Sequence, residues 1–155
     1  MPIPGVTLFR VPVAIPAEME LAVASLRDSR DKMECLVRAY QLLSQKYRGY
    51  RIRTYVYILS ALRSDLREIW QRSGFLHCMT LNYLLKILLV KSGYFRDADV
   101  RFCWTLIWFI SPHQYIKVRI ADDSWVDVDL WGRAFGIPFG SHAHGIHSGS
   151  LWAKS

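Results

Sequence analysis

The sequence predicts an α+β fold, with helices from the first half of the chain packed on an antiparallel sheet from the second half. Three observations predict it. Apolar residues recur at helical spacing as far as Leu89. After Gly93 the period changes to two, over residues 99–109, 113–120 and 124–130. These three alternating runs are joined by connections too short for a crossover, so they read as antiparallel neighbours.

Taken in order, residues 1–16 carry Pro2, Pro4, Pro12 and Pro16 and read as an extended, irregular arm. No basic segment precedes an apolar core there, so the arm does not read as a signal peptide. A first helix opens at Pro16, with Glu18 and Glu20 in its first turn, and runs to about Leu26. A second starts at Ser29 or Asp31 and reaches Lys46, with Met33, Leu36, Val37, Tyr40, Leu42 and Leu43 as its apolar stripe. Residues 47–50 (YRGY) read as a turn pivoting on Gly49. Residues 51–62 alternate like a strand yet continue a helical spacing through Ile58, Leu62, Leu66 and Ile69, and 61–72 read as helix. Ser73 and Gly74 form a loop that feeds the next helix. That helix puts Cys78 at its front, spaces Leu81, Leu84, Leu85, Leu88 and Leu89 along it, and ends at Gly93, where a left-handed cap is wanted. In the second half, Ile110, Ser111 and Pro112 connect the first two strands, and Asp122, Asp123 and Ser124 turn between the last two. Residues 132–155, rich in Gly, Ser and His, read as loop.

The 155 residues read as a single domain, 1–155, large enough for a hydrophobic core: 52% are hydrophobic, with six Trp, eight Tyr and seven Phe. Cys35, Cys78 and Cys103 are odd in number and far apart, with no zinc-type pairing, which predicts free thiols and a cytoplasmic setting. The longest apolar runs, near 84–90 and 103–110, are about half of what a bilayer crossing requires, so no membrane partner is expected. Much of the net charge of +7 comes from residues 46–53 and from helix faces such as Arg63, Arg67 and Arg72, and it is scattered. It is mixed with Asp and Glu and has no nucleic-acid motif beside it, which argues against a nucleic-acid partner. Composition leaves the oligomeric state open.

The chemistry centres on Cys78. A thiol in the first turn of a buried helix faces unpaired amides and the positive end of the helix dipole, both of which favour the thiolate. His113 opens the second strand, and Asp127 and Asp129 lie on one side of the third, so a hairpin brings an imidazole and a carboxylate together. Thiolate, imidazole and orienting carboxylate form a nucleophilic set, and amides at the front of the Cys78 helix could stabilise an oxyanion.

Three ordered motifs carry a resemblance: GFLHC ahead of a helix that ends in a small residue, HQYIKV at His113, and WVDVD ending at Asp129. Over residues 36–131 the chain resembles the transglutaminase-like superfamily of papain-type cysteine enzymes. It departs from that family's usual residues at Met79, Thr80, Leu81 and Asn82, and in YFRDADVRF after Gly93. The resemblance implies a papain-like, transglutaminase-like core with Cys78 as nucleophile, His113 as base and Asp129, rather than Asp127, as the orienting acid. The activity implied is thiol-dependent acyl transfer or hydrolysis at an amide of a peptide or protein, without a cofactor. Hydrolysis is favoured over cross-linking, since no calcium-binding loop or added regulatory segment is evident. The alternative is a non-catalytic module that binds a peptide or protein on the same fold.

His77, Trp104, Gln114 and Trp131 are the candidate substrate contacts, and the tryptophans 104, 108, 125 and 131 are expected as core and cleft wall. Cys35 and Cys103 are expected in the core. His142, His144 and His147 are close enough in sequence to chelate a metal, but with no Cys or acidic residue beside them no metal site is assigned. The ordinary expectation is a loop, anchored by FGIPFG, that packs over the sheet near the nucleophile.

Overall fold

The computed structural model describes residues 10–50 and 65–147, and the ambiguous stretch 51–62 lies outside them. The observed class is α+β, helices with a three-stranded antiparallel sheet. Helix α1 (Ala17–Arg27) starts on the Pro16 carbonyl, which accepts from the amides of Met19 and Glu20. It buries Met19, Val23 and Leu26, one stripe at helical spacing. Helix α2 (Lys32–Lys46) is capped by Asp31, whose Oδ1 accepts from the Glu34 amide at 2.8 Å. Its buried face is Cys35, Leu36, Ala39, Tyr40 and Leu43. Met33, expected in that stripe, is 38% exposed because it lies about 90° around the helix from the centre of the buried face.

The segment expected to be a turn after α2 instead pairs with a distant one. Strand β1 (Tyr47–Arg48) runs parallel to β2 (Gly74–Phe75), and helix α3 (Leu66–Gln71) lies between them in the chain. Gly49 is needed for close approach rather than as a pivot, since a Cβ there would stand 2.5 Å from the Trp131 indole.

Helix α4 (Cys78–Ser92) is the centre of the molecule. Leu81, Leu84, Leu85, Ile87, Leu88 and Leu89 are essentially inaccessible, and Gly93 ends the helix at φ +89° as the sequence predicts. Helices α1 and α2 cover one side of α4 and the sheet covers the other. Its inward polar residues are partnered. The Asn82 amide donates to the Gln114 carbonyl at 2.8 Å, and Lys86 Nζ sits 3.0 Å from Asp97 and over the Phe102 ring.

The sheet runs β3 (Val100–Ile107), β4 (Ser111–Ala121), β5 (Ser124–Val128), in that order and antiparallel. Strands β3 and β5 are shorter than expected. Trp108 and Phe109 leave β3 with φ of 55° and 61°, while Ser111 and Pro112, expected as a connection, already belong to β4. Past Val128 the backbone enters helix α5 (Leu130–Arg133), capped by Asp129. The core face carries Ile116, Val118 and Val128; Lys117 and Asp127 pair on the opposite face at 3.2 Å. At the far end of the sheet, buried Asp99 takes a two-pronged contact from Arg119 and has Lys32 3.8 Å away. Burial pushes this carboxyl up, and the Arg96 amide, Arg119 and Lys32 bring it down to about 2.

Beyond α5 the segment that leads to His147 buries Phe135, Ile137 and Ala143, so the loop expected over the sheet carries core residues of its own. Cys35 is buried, whereas Cys103, also expected in the core, is half-buried on edge strand β3. No helix among the described residues is long and apolar enough to cross a membrane.

Candidate active site

Cys78 is the first residue of α4 and is 4% exposed. His77 before it is the helix cap rather than a free loop residue: its Nδ1 accepts from the Met79 amide at 3.4 Å and lies 3.6 Å from Cys78 Sγ. With Met79 engaged, the Cys78 amide remains as one of the end amides that a helix cannot pair internally.

His113 enters near the start of β4, 3% exposed, and its Nε2 is 2.8 Å from Asp129 Oδ2. Because a carboxylate only accepts, Nε2 carries the hydrogen, and Nδ1 is the ring nitrogen left for the thiol. The imidazole rests against Trp131, with ring centroids 5.0 Å apart, and Trp131 in turn packs on Phe135.

Asp129 stands where β5 ends and α5 begins, 2% exposed. Its Oδ1 accepts from the Gly132 amide at 2.7 Å; its Oδ2 accepts from the Ala143 amide at 2.9 Å and from His113. A buried carboxylate with three donors is satisfied and fixed in orientation. Gly132 is what allows it, since a Cβ there would meet Asp129 Oδ2 at 2.6 Å. This requirement was not visible in the sequence; a glycine three residues after a candidate carboxylate at a strand end is the signal that could have shown it.

His113 is bonded to Asp129, and the imidazole and the Cys78 thiol polarise each other. Burial pushes the Cys78 thiol up; the interaction with His113, then that with His77, and the charge on His113 override it and bring the thiol down to about 6. Burial pushes His113 down; its hydrogen bonds to Asp129 and Cys78 and their negative charge raise it to about 9. Between these values a thiolate faces an imidazolium.

Asp127, the competing carboxylate, is held elsewhere, between Lys117 and His142 Nδ1, the latter at 2.8 Å. Of the candidate substrate contacts, Gln114 is 1% exposed and bonded to Asn82, and Trp131 is buried behind His113. Both are built into the walls instead of lining an open cleft. His77 is 7% exposed at the helix cap, and Trp104 is 56% exposed. Trp108, expected as core or cleft wall, is half exposed as well, while Arg101 sits over the Trp125 ring, its guanidinium carbon 4.4 Å from the ring centroid.

The three histidines do come together, with ring centroids 5.0 Å apart for His142 and His144 and 5.3 Å for His144 and His147. Two of them have other partners: His142 bonds Asp127 and stacks on Tyr115, and His144 Nδ1 donates to the His142 carbonyl at 2.9 Å. Among the described residues no group of three His, Cys, Asp or Glu is placed to hold a metal ion. A cavity of about 500 Å³ lies nearby, lined by Ser44, Tyr47, Arg48, Leu130 and Arg133. It shares α5 with the site but includes none of Cys78, His113 and Asp129. No protein-family model, curated protein or solved structure matches the chain.

Proposed function

We propose that the protein is a cysteine hydrolase or acyltransferase of transglutaminase-like type, acting on an amide of a peptide or protein. The observation that carries this is the buried His113–Asp129 pair, with Asp129 Oδ2 2.8 Å from His113 Nε2, beside a buried thiol at the front of α4 that His113 polarises. The Cys78 thiolate attacks the carbonyl carbon and the C=O π pair moves to oxygen, near the Cys78 amide. The tetrahedral adduct re-forms C=O as the C–N bond breaks; His113 delivers its proton to the leaving nitrogen, and a thioester remains. Water then attacks and gives its proton to His113, the C–S bond breaks, and acid and thiolate are released. An amine in place of water yields the transamidated product. Asp129 fixes the imidazole and stabilises its charge throughout.

On this reading the fold is a papain-like core, with the nucleophile on a helix and the base and acid on the sheet beside it. The reading also places the protein in the cytoplasm, where a nucleophilic thiol stays reduced. The test is the pH dependence of iodoacetamide alkylation at Cys78, read by mass spectrometry in the native chain and in His113→Ala. The expected native profile has its midpoint near the thiol's value of about 6 and loses its low-pH arm in the variant. A midpoint near the free-thiol value of about 8.5, indifferent to His113, would refute the enzyme and leave a binding module.

A further inference from the structure

Exposed apolar residues are ordinary when scattered, but here they gather at one place. Trp104, Leu106 and Trp108 are 56%, 49% and 50% exposed, and Phe109 and Ile110 beyond them 70% and 83%. The cluster has a position relative to the thiol. Along β3, Val100 and Phe102 pair with Val118 and Ile116 on the core face, and Trp104 and Leu106 continue that face opposite Gln114 and Pro112. Lys86 lies over the Phe102 ring and Asn82, one turn beyond Cys78, bonds Gln114 opposite Trp104, so α4 runs along this face with Cys78 toward Leu106. The face that α4 covers farther along the sheet therefore emerges into solvent where α4 begins, at the nucleophile.

The end of this ridge is held in an unfavourable conformation. Trp108 and Phe109 both have left-handed φ, which costs bulky residues about 1–3 kcal/mol each. Gly145 keeps them there: its carbonyl accepts from the Trp108 amide at 2.6 Å and its amide donates to the Leu106 carbonyl at 2.7 Å.

We propose that the ridge of Trp104, Leu106 and Trp108 seats a large apolar side chain of the substrate, next to the carbonyl that Cys78 attacks. This rests on the thiol-nucleophile reading above and adds the substrate class, an amide flanked by an aliphatic or aromatic residue. The occupant is a side chain rather than a bilayer because the ridge continues the helix-covered face toward the thiol.

The test uses N-alkylmaleimides from ethyl to hexyl on the full chain, with modification at Cys78 read by mass spectrometry. The thiolate adds across the ring C=C and the neighbouring carbon takes a proton. The readout is the hexyl-to-ethyl rate ratio, which cancels any change in the thiol itself. Half of full methylene burial gives about twofold per CH₂, so the expected native ratio is about tenfold or more. In the doubly substituted Trp104→Ala, Leu106→Ala chain it falls to about threefold or less, and Trp104→Phe retains it. A native ratio near one, or a ratio that survives the double substitution, overturns the proposal. A flat series together with native-only binding to phosphatidylcholine–phosphatidylglycerol vesicles would overturn it in favour of a bilayer surface. Failure of the thiol reading is separately visible, as an ethyl rate that follows an ordinary thiol in pH.

Discussion

Replacing Gly132 by alanine tests whether Asp129 keeps His113 charged. The added Cβ would stand 2.6 Å from Asp129 Oδ2 and 2.7 Å from Cγ, where ordinary contact begins at 3.4 Å. The carboxylate must retreat by about 0.8 Å, and a retreat in line with the His113 bond stretches it from 2.8 Å to about 3.6 Å, too long for a hydrogen bond. Losing one or two of its three charge-assisted bonds lowers stability by about 2–4 kcal/mol. The larger consequence is electrostatic. Without Asp129 in place His113 falls from about 9 toward its ordinary range, and the Cys78 thiolate loses its cation and rises from about 6. The assay is iodoacetamide alkylation of Cys78 against pH, with urea unfolding to confirm that the variant is folded at the assay temperature. Asp129→Asn, which keeps volume and removes charge, is expected to move the profile the same way. A Gly132→Ala chain that is less stable yet keeps its alkylation midpoint near 6 would refute the reasoning, because His113 would then hold its charge without that carboxylate.

Other perturbations separate the site from its surroundings. Gly49→Ala would place a Cβ 2.5 Å from the Trp131 indole, so the ring that backs His113 must shift; thermal unfolding should show a loss of about 1–3 kcal/mol, with slower Cys78 alkylation. Stability against pH is expected to be flat between about 7 and 9. Lowered Cys78 contributes stability that is present above its unfolded value of 9.0 and lost as pH falls through about 6. Raised His113 contributes stability that is present below 6.5 and lost as pH rises through about 9, so the two slopes cancel. Cys78→Ala leaves only the second, and its urea midpoint should decline across that window where the native chain's does not. Asp99→Ala removes the partner of Arg119 and Lys32 at the far end of the sheet. It should cost about 2–3 kcal/mol, at the low end for a buried pair because both cations keep some access to water, and leave the Cys78 profile unmoved.

The sequence made the long, strongly periodic elements legible. The helix from Cys78 to a left-handed Gly93 and the three strands after it express a local pattern that burial then rewards. His113 and Asp129 could be named because each lies near one end of such an element, and two neighbouring strands bring those ends together. What stayed hidden was what depends on distant partners. The two-residue pairing of Tyr47–Arg48 with Gly74–Phe75 has no local period, and Gly49 and Gly132 matter for what approaches them. Hydrophobicity alone placed Met33, Cys103, Trp104 and Trp108 in the core or cleft wall. The exposure of Trp104 and Trp108 follows from where α4 begins and how far it covers β3, that of Met33 from its angle on α2, and Cys103 lies on the other face of β3 opposite Tyr115, none of which composition encodes. Gln114 has the opposite history: a polar residue expected at substrate is instead the buried partner of Asn82.

The Ala143 amide on Asp129 has a consequence for the protein's synthesis. Fourteen residues separate the donor from the carboxylate, and the donor belongs to the last part of the described chain. On a ribosome, Cys78 and His113 are both made before Ala143. Until that amide arrives, Asp129 lacks one of the donors that aim it, and the imidazole lacks a fixed anchor. The thiol of a nascent chain would thus stay an ordinary one until the segment carrying Ala143 has folded back onto Asp129.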